Sequence, residues 1–413
     1  MQRLPLFVLG LLLCGNTAAL ADTVLVLPFF NESASQNIDW IGEGIAETIR
    51  ESLATQGVLV LSREDRLEAY RRLSIRPNAV LTHASIIKLG EALDASQVIY
   101  GHYEIAAPQQ RDGASSALPP AGAGAPQPAV SVRDSLHMGA RILDLKRTRQ
   151  TPEFEEIGAL EDLASVETHL AWRCLNSLSP KSAPSEQEFR RERPPVRLDA
   201  IENYIRGLLA ASPEQKHRLF TQAVRLDPRF SEPSFQLGKM AWEKKDYSLA
   251  SGWLEKVNRT DSHFFEAMFL LGLCRYYTAD FAGAEKNLLI VAASVPLNEV
   301  WNDLGAVQLR LRSPSALDNF RHALDGDSTD PDYHFNLGYA LWQRGDFDKA
   351  AEIFRALLDR NPDDAEAVLF LGRCLKKDGP RAGDPRSEGR ERLKLNFEET
   401  AYRQLKAELE SKH

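Results

Sequence analysis

Residues 331–362 read PDYHFNLGYALWQRGDFDKAAEIFRALLDRNP, and the Leu-Gly pair near the start of this stretch recurs along the second half of the chain. The glycines of successive pairs are 34, 33, 33 and 34 residues apart. A period near 34 residues is typical of stacked helix–turn–helix units, each of which buries one face against its neighbours. The spacing therefore predicts an all-α solenoid of about five to six repeats over residues 199–377, which favours a binding surface over a catalytic pocket. The pairs are Leu237-Gly238, Leu271-Gly272, Leu304-Gly305, Leu337-Gly338 and Leu371-Gly372.

The stretch at 331–362 also contains Ala350 in its second helix, Phe354 four residues later and Pro362 in the exit turn. Together with the Leu-Gly pair, this order of residues resembles the tetratricopeptide repeat. The resemblance implies two antiparallel helices per repeat, with the glycine and the alanine at their closest approach. Proline ends the second helix because it cannot donate the next backbone hydrogen bond. An upstream unit at residues 200–228 keeps Gly207, Phe220, Ala223 and Pro228 but has a tighter turn.

In tetratricopeptide arrays the first helix of each repeat lines the concave face. Aromatic side chains suit a partner-binding groove there because they bury a large area at a small loss of rotamer freedom. Some of these residues could instead pack between helices, and that alternative stays open at each position. The Lys/Asn clamp that some relatives use for acidic C-termini is not reproduced, so the predicted occupant is a mostly apolar or extended segment. Projected by repeat register, the predicted partner-binding groove comprises Phe235, Lys239, Trp242, Phe269, Leu273, Tyr276, Asn302, Leu309, Phe335, Tyr339 and Trp342.

Residues 22–178 alternate between short β-branched runs and amphipathic stretches, which predicts an α/β domain with a mixed sheet covered by helices. Its clearest helix carries Ile41, Ile45, Ile49 and Leu53, which recur every four residues on one face. Strands are predicted at residues 23–27, 58–61, 97–105 and 136–145, and further helices from residue 63, at 82–93 and at 162–178.

Two segments differ from their surroundings in composition. Residues 108–130 are dense in Ala, Pro, Gly and Ser, and they bury too little apolar surface to offset their ordering entropy. They are predicted to form a disordered loop that joins two antiparallel strands. Residues 179–198 are rich in Pro, Arg and Glu and are predicted to link the α/β domain to the repeats.

The α/β half has a family likeness of its own. Residues 24–29 (VLVLPF), 40–45 (WIGEGI), 58–63 (VLVLSR) and 95–101 (ASQVIYG) resemble the amino-terminal domain of TolB, and curli-secretion and flagellar outer-membrane lipoproteins carry a similar domain. The resemblance implies a role in envelope assembly rather than catalysis. The long Pro/Ala/Gly loop departs from the compact hairpin of that family, which puts a shared binding role of this edge in doubt.

The first residues have the features of an export signal. Arg3 precedes an apolar run from Leu4 to Leu13, and Ala19-Leu20-Ala21 fits a signal peptidase site. Residues 1–21 are therefore predicted to be a signal peptide, cleaved between Ala21 and Asp22, which predicts a periplasmic or secreted protein. Leu13 stands where lipidation of Cys14 would need a small residue, so cleavage is favoured over lipidation and over a retained anchor. No later run approaches 18 apolar residues, which predicts no stable membrane insertion of the mature chain.

Charge and motifs exclude several classes of function. The 413-residue chain has a formal net charge of −8, whereas non-specific nucleic-acid binding needs a basic face, so no nucleic-acid partner is predicted. It contains no HExxH, GxSxG or Walker motif, and we predict no catalytic residues and no cofactor. Asp325, Asp327 and Asp330 resemble the start of a calcium loop, but Asn336 stands where that loop requires glutamate. No metal site is predicted.

The repeat pattern breaks at residues 378–385, which read DGPRAGDP. A last helix is predicted from about Ser387, because apolar residues then recur four apart. Terminal repeats need a polar outer face, so residues 386–413 are predicted to be a capping helix. The alternative is a helix that binds a partner or a membrane surface, although its mixed charges argue against the membrane. The apolar stripe comprises Leu393, Phe397, Ala401, Leu405 and Leu409.

These patterns predict an exported, non-enzymatic scaffold that binds other proteins or peptides through its groove in envelope assembly. The pairing of these two domains in bacterial signalling proteins makes a sensor or regulatory module the alternative. An enzyme hidden in the α/β domain is a third reading, and it would require polar side chains that converge in a pocket.

Overall fold

The structure, a computed structural model, describes residues 23–33, 35–76, 79–106, 134–381 and 383–410. The predicted signal peptide at residues 1–21, with its cleavage site between Ala21 and Asp22, lies outside the described residues, and so does the predicted loop at 108–130. Across the described ranges, no helix has both the length and the apolar character that crossing a bilayer requires.

A six-stranded mixed sheet forms the centre of the N-terminal domain. Strands β1 (Val24–Val26) and β2 (Phe30–Asn31) pair in parallel with β3 (Gln97–Ala106). Strand β3 pairs antiparallel with β4 (Ser135–Asp144), and β4 pairs antiparallel with β5 (Arg149–Gln150) and β6 (Phe154–Ala159). The strands on either side of the predicted loop are therefore antiparallel neighbours, as predicted.

Helices cover both faces of the sheet because the side chains of a strand alternate between its two sides. Val24 and Val26 of β1 belong to the core on the α1 and α4 face, whereas Leu25 belongs to the core under α2 and α3. The helices of this half are α1 (Trp40–Thr55), α2 (Arg63–Arg72), α3 (His83–Ala92), α4 (Leu163–Leu178) and α5 (Glu186–Glu192). The predicted stripe of α1 is confirmed by the complete burial of Ile41, Ile45, Ile49 and Leu53.

The strand predicted at residues 58–61 is wrong as a full strand. Only a single bridge joins Val60 to Val24, with the Val24 N–H donating to Leu59 O at 2.8 Å. The ladder cannot continue because Ser62 already begins α2: its side chain accepts from the Asp65 N–H, and the Asp65 side chain accepts from the Ser62 N–H.

Residues 179–198, predicted to be a linker, contain helix α5. Ser185 and Glu188 form a reciprocal capping box at its start, and the Ser-x-x-Glu spacing is the sequence signal for it. Phe189 of this helix is fully buried in a core that also contains Ile201 and Phe220 of the first repeat. The α/β domain and the start of the repeats therefore share one core.

Five helix pairs and one further helix form the array, and each Leu-Gly pair lies in a first helix. The pairs are α6 (Leu198–Leu209) with α7 (Pro213–Leu226), α8 (Glu232–Glu243) with α9 (Tyr247–Leu254), α10 (Phe264–Tyr277) with α11 (Phe281–Ala292), α12 (Asn298–Arg310) with α13 (Ala316–Gly326), and α14 (Pro331–Gln343) with α15 (Phe347–Arg360), followed by α16 (Ala365–Leu375). A Cβ atom at Gly305 would lie 2.8 Å from the Phe320 ring, whereas one at Gly372 would have no atom within 4 Å. The glycines thus allow close approach only where a second helix follows.

The helix predicted from Ser387 is wrong in its first half. Residues 387–398 contain no helix, and α17 spans Glu399–Glu410. Gly389 has φ +67°, a conformation that ends a right-handed helix, and backbone groups after it bond to side chains of the array instead. The segment also leaves the outer side of α16 uncovered, since Val368 and Leu375 are 53% and 61% exposed.

Candidate functional site

The candidate site is the concave face formed by the first helices of the repeats, α8, α10, α12, α14 and α16. Each of these helices contacts the next one directly. They therefore form a continuous wall rather than a set of separate surfaces.

Residues 387–398, here called the groove segment, run across this wall without forming a helix or strand. The Tyr339 hydroxyl donates to Ser387 O at 2.9 Å, and the Tyr276 hydroxyl donates to Glu391 Oε2 at 3.0 Å. Further along, the backbone N–H of Lys394 donates to Asp303 Oδ1 at 2.8 Å. Side chains of the array thus supply the partners that a helix or a strand would give this backbone.

Two asparagines clamp the backbone of Arg392. Its N–H donates to Asn336 Oδ1 at 2.8 Å, while its carbonyl accepts from Asn302 Nδ2 at 2.9 Å and from Asn336 Nδ2 at 2.8 Å. Asn336 also donates to Asn302 Oδ1 at 2.8 Å, and both asparagines are fully buried. The two asparagines therefore bind the main chain of Arg392, and these hydrogen bonds do not depend on its side chain.

Acidic residues follow the repeat period along the same face. The residue six positions before each repeat glycine is acidic, and it lies in the first turn of a first helix. A carboxylate there is favourable for its own helix because it faces the positive end of the helix dipole. The five together place a line of carboxyl groups along the first helices, here called the acidic row, in which burial raises the pKa of Glu232 well above its usual value and so disfavours its charge: Glu232, Glu266, Glu299, Asp332 and Glu366.

The groove segment presents cations to this row. The Arg392 guanidinium bonds both oxygens of Asp364 at 2.8 Å, reaches Glu366 Oε2 at 3.2 Å, and lies 3.7 Å from the centre of the Phe335 ring. The hydrogen bonds from Arg392 lower the pKa of Asp364 below its usual value. Arg390 pairs with Glu366 in turn.

Lys394 makes a second ionic contact with the array. Its Nζ lies 2.7 Å from Asp330 Oδ2 and 2.7 Å from Asp332 Oδ2. Burial opposes the charge of Lys394, but the hydrogen bonds to these two carboxylates outweigh it and raise the lysine pKa. Farther along, Phe397 stacks on Phe269 with ring centroids 5.1 Å apart.

Six of the eleven predicted groove residues touch the chain beyond α16. Phe269, Tyr276, Asn302, Phe335 and Tyr339 contact the groove segment as described, and the Trp342 indole N–H donates to Asp378 O at 2.8 Å. Their role in partner binding stays a prediction. The other five do not contact the groove segment through a polar or ring contact: Phe235 stacks on His263, Lys239 pairs with Glu266, Trp242 packs on Tyr247 and Tyr277, Leu273 is fully buried, and Leu309 packs against the core of the last repeats.

The sequence prediction missed the polar half of the site. It named Asn302 but not Asn336, and it named none of Asp303, Asp332 and Asp364. The repeat period gives a signal for Asp332, because an acidic residue recurs six positions before every repeat glycine, but it gives none for Asn336, Asp303 or Asp364.

A cavity of about 160 Å³ lies where the α/β domain meets the first repeats, and Glu51, Glu167 and Asp261 are among the residues that line it. An enzyme hidden in the α/β domain would require polar side chains that converge in such a cavity. Asp261 accepts from the Ser231 hydroxyl at 2.7 Å and contacts His263 Nδ1 at 3.2 Å. Burial opposes the charge of Asp261, but its bonds with His263 and Ser231 outweigh it and lower its pKa. Asp261 is therefore a weak base, which favours a structural role for its hydrogen bond with Ser231.

The calcium-like stretch covers the end of α13, which contains Asp325, and the turn between this repeat and the next. Asp327 follows α13 and accepts from Thr329, and Asp330 caps α14 by accepting from the Asp332 and Tyr333 N–H groups. In the part of the chain that the structure describes, no group of three or more His, Cys, Asp or Glu side chains has an arrangement that could hold a metal ion.

Comparison with known proteins supports the repeat assignment. The family described as tetratricopeptide repeat matches residues 311–365 and 335–382. No curated protein matches the chain. Solved structures that resemble part of it include YrrB, described as a TPR protein with an unusual peptide-binding site (18% identity, 47% of this chain and 97% of that chain, TM-score 0.34). Others are MamA from Desulfovibrio magneticus RS-1 (24%, 39% and 92%, 0.34) and pilF of Pseudomonas aeruginosa (20%, 40% and 77%, 0.34). The chain thus folds as a small α/β domain followed by an all-α array of helix pairs, of which residues 311–382 match the tetratricopeptide repeat, and the concave face of this array holds the candidate site.

Proposed function

We propose that this protein is a non-catalytic scaffold that holds an extended segment of a partner polypeptide against the concave face of its repeats. The observation that carries the proposal is the clamp on Arg392, where buried Asn302 and Asn336 bind both backbone groups of one residue. Tetratricopeptide repeats generally mediate protein–protein interaction, and this clamp indicates which backbone conformation the array accepts.

Because the asparagines bind the main chain rather than a side chain, different occupants can bind in the same groove. A net hydrogen bond contributes about 1 kcal/mol, and a buried polar group left without a partner costs about 1–3 kcal/mol. An occupant must therefore present a residue whose N–H and C=O are both free, as an extended strand does when it joins a sheet edge. A helical partner segment has already used these groups.

The proposed setting is the periplasm or the cell exterior, where the scaffold takes part in envelope assembly. Two features support this setting: the signal-peptide pattern of residues 1–21, and the resemblance of residues 22–178 to the TolB amino-terminal type. Cell fractionation of the full chain with N-terminal sequencing tests it. A product in the periplasmic or secreted fraction that begins at Asp22 is expected, and an unprocessed chain in the cytoplasm would contradict the setting.

The groove is tested with a full-length variant whose own segment is repelled. The substitutions Arg392→Glu and Lys394→Glu place carboxylates against Asp364 and Asp332, and this chain is here called the released variant. Its affinity for a fluorescein-labelled peptide with the sequence of residues 388–399 is measured by fluorescence anisotropy. N-methylation of the peptide at the Arg392 nitrogen removes the donor to Asn336 and should weaken binding by at least about tenfold.

A matched pair of asparagine substitutions completes this test. Asn336→Ala in the released variant should abolish most of the peptide binding, whereas Asn258→Ala should leave it unchanged, because Asn258 bonds Arg229 O in a turn outside the concave face. Equal binding of the N-methylated and unmodified peptides would refute the clamp as the basis of recognition.

A further inference from the structure

We propose that the concave face is a docking site for an extended basic segment of a partner protein, and that residues 390–397 of this chain occupy it as a built-in competitor. The inference rests on the function proposed above and adds the chemistry of the partner and the regulation of the site. It is carried by the match between alternating cations in the groove segment and carboxylates set by the repeat period.

The cations of the groove segment occupy alternate positions. In an extended chain, residues two apart point to the same side and lie about 7 Å from one another. Arg390, Arg392 and Lys394 therefore present three charges on one side, and all three meet carboxylates of α14, α16 or the turns before them. An acidic segment of the same shape would place like charges at these positions.

The fit worsens toward the other end of the acidic row. There the groove segment turns acidic at Glu398: its backbone N–H donates to Glu299 Oε1 at 3.1 Å, but its carboxylate opposes the charge of Glu299. Burial and the nearby Glu398 raise the pKa of Glu299. Beyond it, Glu266 pairs only with Lys239 of the array itself among its ionic contacts in the described residues. A partner segment that continued with basic or neutral residues would be bound better here.

A second mismatch lies beside the clamp. Glu391 is the residue between two of the cations, and burial raises its pKa. Its Oε2 accepts from Tyr276, but its Oε1 has no hydrogen-bond partner among the described residues. The chain's own segment therefore binds through its backbone and its cations while carrying an unfavourable buried carboxylate, which makes it an occupant that a better one can displace.

The covalent link compensates for these mismatches. A tethered ligand acts at an effective concentration in the millimolar range, so even a weak segment stays bound until a competitor exceeds it. A free basic segment binds only the fraction of molecules in which the tether is open, and its apparent affinity falls by that fraction. Partner binding is thereby restricted to segments that fit better than residues 390–397.

The test compares three full-length chains by anisotropy: the natural chain, the released variant, and an Arg386→Glu control. Arg386 is exposed, and Arg373 contacts its carbonyl rather than its side chain, so the control changes charge without opening the groove. The released variant should bind the 388–399 peptide at least about tenfold more tightly than the natural chain, with the control equal to the natural chain. Equal binding to all three chains would overturn the built-in competitor.

Peptide charge tests the partner class. A version of the peptide with glutamine in place of Arg390, Arg392 and Lys394 should bind the released variant at least about tenfold more weakly than the basic peptide, and 0.5 M NaCl should remove most of this difference. If the two peptides bind equally while N-methylation still abolishes binding, the basic partner class is wrong and the proposed groove function stands. If neither peptide binds the released variant, the groove function itself fails.

A substitution with the opposite expected effect on peptide affinity controls for variants that misfold. Glu391→Gln removes the buried charge and keeps an acceptor for Tyr276, so it should tighten the chain's own segment and lower peptide affinity at least threefold. Unchanged or increased affinity would contradict the mismatch argument. Light scattering then measures the oligomeric state of the natural chain and of the released variant. A dimeric natural chain with a monomeric released variant would show that the occupant comes from a second copy, and it would overturn the intramolecular arrangement.

Discussion

Two glycines of the repeat pattern should respond in opposite directions to the same substitution. Gly305 lies inside α12 against the fully buried Phe320, and a Cβ atom there would lie 2.8 Å from two ring carbons. Gly372 occupies the same repeat position in α16, where a Cβ atom would meet nothing within 4 Å. The two sites therefore share a sequence context and differ in what packs against them.

The magnitudes follow from this difference. Alanine in place of glycine inside a helix stabilises by about 0.5–1 kcal/mol, because it removes backbone freedom from the unfolded chain. Inserting a methyl group into a packed core costs about 1–3 kcal/mol, and the fully buried Phe320 ring lies directly against this position. Gly305→Ala should therefore lower the free energy of unfolding by about 1–2 kcal/mol, whereas Gly372→Ala should raise it by about 0.5–1 kcal/mol.

Urea denaturation followed by far-ultraviolet circular dichroism compares both variants with the natural chain. Because a repeat array need not unfold in one step, hydrogen exchange of the peptides that cover α12, α13 and α16 assigns each change to its repeat. A Gly305→Ala chain as stable as the natural one would refute the close-approach explanation of the Leu-Gly pattern. Destabilisation by Gly372→Ala would show that α16 has a packing partner on this side.

Three further predictions concern the α/β domain and its junction with the repeats. Burial raises the pKa of Glu167 to about 8, and its Oε1 has no partner in the described residues. The folded state therefore holds this proton more tightly than the unfolded state, and stability should fall by about 3 kcal/mol as pH rises from 5.5 to 8.5. In urea titrations at the two pH values, Glu167→Gln should remove most of this fall in the free energy of unfolding. The same fall in the variant and in the natural chain would contradict the prediction. Phe189→Ala should lower the free energy of unfolding by about 3–5 kcal/mol, since this side chain is fully buried between the domain and the first repeat, and a loss below 1 kcal/mol in the same titration would show that α5 is dispensable. Ser185→Ala removes only the cap of α5 and should cost about 1 kcal/mol, so a loss as large as that of Phe189→Ala would contradict this ranking.

Local patterns in the sequence are sufficient for the elements that carry their own periodicity. The four-residue recurrence of Ile41, Ile45 and Ile49 predicts α1 and its buried face because one helix face is defined by spacing alone. The Leu-Gly period predicts the helix pairs for the same reason, since each repeat packs only on its neighbours. The strand at residues 58–61 fails because apolar, β-branched composition does not say whether a neighbouring strand offers a free ladder.

The site was predictable only in part. Register identified Asn302 and the aromatic side chains of the first helices as members of the concave face. The acidic row could have been found by the same register, because it recurs with the repeat. Asn336 could not, since the matching positions of the neighbouring repeats are Asp303 and Phe370. The pairing of these residues with Arg392 and Lys394 could not be predicted from the repeat. Arg392 and Lys394 follow no repeat and lie about 30 positions or more beyond most of their partners.

The sequence by itself determined the order of the α/β domain and the helical array, because burial patterns of single helices and strands are local. It also set the acidic and aromatic character of the concave face. Only the tertiary structure decided what residues 387–398 do. Their stripe of Leu393 and Phe397 has helical spacing, but a helix would satisfy the backbone of Arg392 internally. The buried amides of Asn302 and Asn336 bind that backbone instead, and such a competition between local and distant hydrogen bonds cannot be read from spacing.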